Sequence, residues 1–114
     1  MIYDITPVPA PRMTRADSWK KRPCVLRYFD FKDRARELGI EVENGAKIVF
    51  VLPMPKSWSK KKKNKMDGVL HRQRPDLDNL LKALLDAVHE EDCGICFLEG
   101  ISKYWGKKGT ISIT

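Results

Sequence analysis

The 114 residues are 42% apolar and 32% charged, with a formal net charge of +7. That is enough chain for one domain with its own core, and no run approaches the ~18 apolar residues of a membrane span. The first residues, MIYDITPVPAPRM, lack the charged start and apolar core of a secretion signal, and three cysteines, an odd number, make no disulfide framework, so a reducing cytoplasm is the expected setting.

Residues 1–8 put Met1, Tyr3 and Ile5 on one side and predict a first strand. Residues 9–24, with three prolines and scattered charge, predict a loop. A helix is expected over 29–39, where Phe29, Phe31, Ala35 and Leu38 form a rough stripe and Gly39 is a stop. The apolar run at 48–52 predicts a strand buried on both faces, ended by Pro53 and Pro55. Residues 56–74 read as a loop. After Pro75 the pattern is clear: Leu77, Leu80, Leu81, Leu84, Leu85 and Val88 make the core-facing stripe of a second helix with Asp76 as N-cap. Asp78, Lys82 and Asp86 then share its solvent side. Residues 95–103 and 109–114 predict two strands, joined as a hairpin by Gly106, Lys107, Lys108 and Gly109. The order β-α-β-α-β-β gives an α+β fold, a small mixed sheet with two helices in a single domain spanning 1–114.

The charge is not evenly spread. Lys56, Lys60, Lys61, Lys62, Lys63, Lys65, Arg72 and Arg74 face only one acid, Asp67, so this stretch carries the whole excess. A local basic stretch is an electrostatic footprint for nucleic acid phosphate; the bland alternative is a solvated loop. Trp58 lies inside it, placed either to stack on an unpaired base or to anchor the loop to the body. Arg12, Arg15, Lys20, Lys21 and Arg22 of the N-terminal loop are further candidates for phosphate contact.

Two carboxylates, Asp76 and Asp78, follow directly. At a helix start such residues cap free N–H groups and complement the dipole, and Asp78 stands i, i+4 to Lys82. Beside a phosphate-binding stretch they also suit a divalent cation: hard oxygen ligands hold Mg²⁺ or Mn²⁺, with water and substrate phosphate completing the shell. A second acidic group, Glu90, Glu91 and Asp92, follows the helix and supplies a third ligand if the chain returns past the helix start. Such a site serves phosphodiester hydrolysis, with Lys82 stabilising developing charge.

The run Arg74-Pro75-Asp76-Leu77-Asp78-Asn79-Leu80-Leu81-Lys82-Ala83 resembles the signature of the RusA family of Holliday junction resolvases, R-x-D-L-D-N-L-x-K-A. Pro9-Ala10-Pro11-Arg12, the lysine-rich stretch, Asp86-Ala87, Glu91-Asp92 and Lys103-Tyr104-Trp105-Gly106 extend the similarity, especially to phage-borne members. The resemblance implies a homodimeric, Mg²⁺- or Mn²⁺-dependent crossover junction endodeoxyribonuclease acting in DNA recombination and repair. It nicks four-way DNA on two strands. Asp76 and Asp78 would be metal-binding and catalytic, and Lys82 the catalytic lysine. The family's third aspartate falls on Asp92; members often show two adjacent aspartates there, where this chain has Glu91-Asp92, so Glu91 is the alternative ligand. A two-fold dimer also suits a two-fold junction that needs two cuts.

Two other readings compete. A non-catalytic DNA- or RNA-binding domain would use the basic stretch over 56–74 and leave the acids to capping. A small zinc module would use Cys93-Gly94-Ile95-Cys96 with His89, but a structural site wants four ligands, so no structural zinc is expected.

Overall fold

The computed structural model describes residues 1–12, 22–89 and 94–114. Its elements in chain order are β1 Ile2–Tyr3, α1 Pro23–Glu37, β2 Lys47–Pro53, α2 Lys60–Met66, α3 Leu77–Val88, β3 Gly100–Gly106 and β4 Thr110–Ile113. They form an α+β fold: a four-stranded mixed sheet, order β1-β4-β2-β3, with helices against it.

The sheet is built around β2, the chain's most apolar strand. β3 runs parallel to one edge of it and β4 antiparallel to the other. Its side chains alternate: Ile48, Phe50 and Leu52 are buried, while Val49 and Val51 are only half-buried. The strand is therefore covered on one face, not on both as its composition predicts. β-branched Val49 and Val51 suit a pleated, partly wet surface as well as a dry one. On the covered face, Ile48, Phe50 and Ile111 join Leu80, Ala83 and Leu84 of α3 and Tyr28, Phe31 and Ala35 of α1 in one buried cluster.

The helix α3 matches its predicted span, and Leu80, Leu84 and Leu85 of the predicted stripe are buried. α1 begins six residues earlier than the apolar stripe suggests. Pro23, at the first helical position, has no N–H to satisfy and a φ already suited to a helix, so it starts one. The buried row is Val25, Tyr28, Phe31 and Ala35, and Phe29 of the predicted stripe is exposed. Gly39 stops the helix as expected, at a φ of 66° that favours glycine. β1 is shorter than residues 1–8. After Tyr3 the chain turns, with Ile5 N–H donating to the Tyr3 carbonyl at 3.0 Å, and Pro7 and Pro9 lack the donors a strand needs.

Three further departures concern the second half of the chain. The basic stretch is not all loop, because Lys60–Met66 form a third helix. Ser59 caps it, its hydroxyl accepting from Lys62 N–H at 3.2 Å, and unbranched lysines are good helix formers. Residues 95–98 are not strand. Asn44 takes their place as a partner: its Oδ1 accepts from Cys96 N–H at 2.6 Å and from Phe97 N–H at 3.3 Å, and its Nδ2 donates to the Gly94 carbonyl at 3.0 Å. β3 therefore starts only at Gly100. Finally, β3 and β4 do not pair as a hairpin. They flank β2, and the chain from Gly106 to Gly109 passes over its C-terminal end, where Gly106 lies opposite Pro53 and Thr110 opposite Val51.

That crossing is tight. A Cβ on Gly106 would collide with Val51 Cγ1, and one on Gly109 would lie 2.5 Å from the backbone Cα of Thr6. Gly109→Ala is expected to cost about 1–3 kcal/mol, as overpacking against main chain does, read as a lowered urea midpoint. Gly100→Ala, whose Cβ would meet only Lys47 at 3.6 Å, should leave the midpoint unchanged or higher. Equal losses in both variants would show that the crossing is not the tight point.

Candidate functional site

The turn before α3 carries the site. The carbonyls of Gln73 and Pro75 both accept from Lys103 Nζ of β3, at 2.5 and 2.6 Å. The peptide Arg74–Pro75 between them is cis. Asp76 follows in an extended conformation, and its main-chain carbonyl accepts the first helical bond, from Leu80 N–H at 3.2 Å. The residue occupies the N-cap position as expected. Its carboxylate makes no capping hydrogen bond. Asp78 does the local work instead: its Oδ1 accepts from Asn79 N–H at 2.9 Å. Asp76 thus holds the expected N-cap position without using its side chain, and Asp78 takes up one of the free N–H groups. Both side chains are exposed at the positive end of the helix dipole.

The N-terminal segment crosses this first turn, with Ala10 N–H donating to the Asn79 carbonyl at 3.0 Å. Pro9, Ala10, Arg12, Arg74, Pro75, Asp76 and Asn79 line an open cleft of about 920 Å³. Arg12 and Arg74 therefore share this cleft with Asp76. Arg12 is tied in through its own carbonyl, which accepts from Arg22 Nη2 at 2.8 Å.

Lys82 lies one turn beyond Asp78, but it does not pair with it. Its ammonium group faces Asp86 at 3.6 Å. Asp86 also accepts from the Tyr28 hydroxyl at 2.7 Å, and burial together with this carboxylate holds the Tyr28 phenol well above its ordinary range. Arg36 Nε donates to the Ala87 carbonyl at 3.0 Å beside it. Asp86 thus ties α1 to α3 and draws Lys82 towards the far end of the helix.

The basic residues gather around the same end of the sheet. Trp58 packs at a tilt against Trp105 of β3, ring centres 4.7 Å apart, and Lys62 Nζ lies 4.3 Å over the Trp58 ring. On Trp105 also rests His71, at 3.9 Å. Of the two roles expected for Trp58, the anchor is the one its contacts support: it pins α2 to the sheet, a contact worth about 0.5–1.5 kcal/mol beyond area burial. Residues 69–71 lie along the outer edge of β3, with Trp105 N–H donating to the Val69 carbonyl at 2.9 Å and His71 N–H to the Lys103 carbonyl at 3.0 Å. Lys60, Lys61, Lys62, Lys65, Arg72 and Arg74 are exposed, with Lys63 half-buried. Lys56, also exposed, lies between β2 and α2.

The donor chemistry of Asp76 and Asp78 fits a hard divalent cation: two exposed oxygen ligands, one carboxylate without a hydrogen-bond partner among the described residues. Among the described residues no three His, Cys, Asp or Glu side chains cluster as a metal site. The expected third ligands, Glu91 and Asp92, lie outside the described residues, as do Cys93, Arg15, Lys20 and Lys21. Two residues near the carboxylates carry no expected site role, although Lys103 belongs to the resemblance. Lys103 stands in the strand row of Ile101 and Trp105, where a lysine is out of pattern. His71 is buried with its Nδ1 unpartnered.

His71 has its pKa lowered, first by burial and then by the charge of Lys103. Its neutral form therefore supports the fold above the ordinary value of 6.5, and that support is lost as pH falls from there towards the depressed folded-state value. The wild type is expected to lose urea resistance between about pH 7.5 and about pH 5.5, and His71→Phe, which keeps the stack, to lose less. Parallel pH profiles would place the acid-labile group elsewhere.

A family model described as Endodeoxyribonuclease RusA matches residues 29–114. The match runs from within α1 to the last residue and takes in Asp76, Asp78, Lys82 and Lys103. No curated protein matches the chain.

Proposed function

Since the chain belongs to the endodeoxyribonuclease RusA family, a family of Holliday junction resolvases, we propose that it is a divalent-metal-dependent endonuclease that cuts four-way DNA. The observation that carries this reading is the Asp76 carboxylate. It stands at the N-cap without capping, in a cleft that Arg12 and Arg74 also line, where a helix-stabilising acid would have turned back onto the free N–H groups.

Asp76 and Asp78 would hold Mg²⁺ or Mn²⁺, with Asp92 as third ligand and Glu91 as its alternative. When bound, the ion supplies Lewis-acid activation of water and neutralises charge developing on the phosphodiester. Arg12 and Arg74 hold the DNA strand across the cleft by its phosphates, against the repulsion of the acids. Lys56, Lys60, Lys61, Lys62, Lys63, Lys65 and Arg72 extend that contact along the flanking duplex, and Trp58 fixes the helix that carries most of them. Lys82 must exchange Asp86 for a phosphate oxygen to stabilise developing charge; the lysine end of the pair is exposed, and Asp86 keeps the Tyr28 hydroxyl as a partner when the lysine leaves. Two copies related by a two-fold axis would present two such sites to a junction. Residues 1–114 act as one nuclease domain, since β1 pairs with β4 and Ala10 bonds to Asn79 from outside the matched span. No helix among the described residues is long and apolar enough to cross a membrane, and the bacterial cytoplasm, with a phage or prophage role in DNA recombination and repair, is the proposed setting.

The test is an end-labelled synthetic four-way junction with Mg²⁺ or Mn²⁺. Wild type should give paired nicks. Asp76→Asn and Asp78→Asn should each lower the rate at least about a hundredfold, near 2.7 kcal/mol of transition-state stabilisation, while binding the junction as well or better. Tight binding without cleavage by the wild type in either metal would instead establish the rival reading, a non-catalytic nucleic-acid-binding domain. Independently, Lys61→Ala should weaken binding similarly across DNA sequences and reduce the slope of log K against log salt by roughly 0.9, the signature of one lost phosphate contact. An unchanged slope would remove Lys61 from the interface.

A further inference from the structure

We propose that Lys103 is a positioning residue for the metal site: its ammonium group, held between the carbonyls of Gln73 and Pro75, fixes the turn that presents Asp76. This deepens the nuclease reading and rests on it.

The placement of Lys103 is unusual for its residue type. On β3 it shares a face with Ile101 and Trp105, and its partner across the parallel ladder is Phe50, which is fully buried. An apolar side chain there would extend the core. An ammonium group costs desolvation and rotamer entropy, and it is retained in such a place only when its donors are used. Here two of them are used, on carbonyls to either side of Arg74. Bonds from a charged donor are roughly twice as strong as neutral ones.

The two carbonyls have no helical partner. Helical bonding starts with the Asp76 carbonyl, so those of Gln73 and Pro75 lie just ahead of it. Lys103 supplies the missing donors. The Pro75 carbonyl and the Asp76 nitrogen belong to one planar peptide unit, so holding that oxygen holds the Asp76 backbone. The main chain of Lys103 grips the same segment two residues earlier, through His71 N–H. The residue therefore clamps the chain leading into Asp76 at three points, from a strand at the edge of the sheet. Asp76 gains a rigid platform that its own side chain, uninvolved in capping, does not provide. Ligand geometry must hold to within about 0.5 Å for a metal site to work, and groups supporting ligands from behind contribute about 10–100-fold in affinity or activity.

The experiment compares wild type, Lys103→Met and Lys103→Arg in the full chain. Mn²⁺ affinity is measured by titration without DNA, and kcat and KM on the four-way junction, with circular dichroism recording the folded fraction. Lys103→Met should weaken Mn²⁺ binding about 10–100-fold and lower kcat by a similar factor, with KM nearly unchanged. Lys103→Arg keeps the charge and reaches both carbonyls, and should recover most of both losses. Unchanged Mn²⁺ affinity in Lys103→Met overturns the proposal, as does a loss that arginine does not restore. A Lys103→Met chain that is unfolded in the assay overturns it too, because the residue would then hold the fold and not the turn. A wild type that binds Mn²⁺ but cuts no junction sinks the nuclease reading alone, since the metal titration still reports on the clamp.

Discussion

Ile48 and Phe50 of β2, packed with Leu80 and Leu84 of α3, form the contact on which the rest of the molecule depends. All four side chains are fully buried, and each removes roughly 1.5–3 kcal/mol worth of apolar surface from water. This contact fixes the rotation of α3 about its axis. Once Leu80 and Leu84 face the sheet, Asp78 and Lys82 must face solvent, and the head of the helix falls next to β3. The carboxylates are thus placed by the leucines behind them.

A second constraint is electrostatic. Nearly the whole positive excess of the chain lies between β2 and α3, and these residues would spread apart if left as coil. Helix formation over Lys60–Met66 and the packing of Trp58 against Trp105 hold five of the lysines on one short element beside β3. Residues 69–71 then run along the edge of β3 and carry the chain into the turn before Asp76. Arg74, the last basic residue of that stretch, lines one cleft with Asp76. Arg12, far away in sequence, joins them because the N-terminal segment bonds to Asn79. The same edge of β3 that receives the basic segment also supplies Lys103, so the basic segment and the turn before Asp76 share one support.

Much of this was legible in the residues. The α+β class followed from the element pattern, and the limits of α3 from its leucine spacing, its proline and its aspartate. The run from Arg74 to Ala83 pointed to the family that the matched span shows. What misled was local resemblance without knowledge of neighbours. Glycines at 106 and 109 suit a hairpin turn equally well when the strands pair and when a third strand lies between them. Residues 95–98 are as apolar as a strand, but the Asn44 side chain takes the N–H groups of Cys96 and Phe97. A run of lysines reads as loop because charge dominates the eye, although lysine is a good helix former and Ser59 supplied the cap.

The sequence by itself determined the chemistry available: oxygen ligands beside fixed positive charge, at the head of an amphipathic helix. Those properties depend on residue type and on spacing within one element, and short-range periodicity carries both. Only the tertiary structure decided how the groups are used. It freed Asp76 from capping and gave that bond to Asp78, turned Lys82 towards Asp86, and brought Lys103 under a turn 28 residues earlier in the chain. Each of these choices depends on partners that meet only when β3 docks beside β2, and no spacing within α3 records which of them will be there.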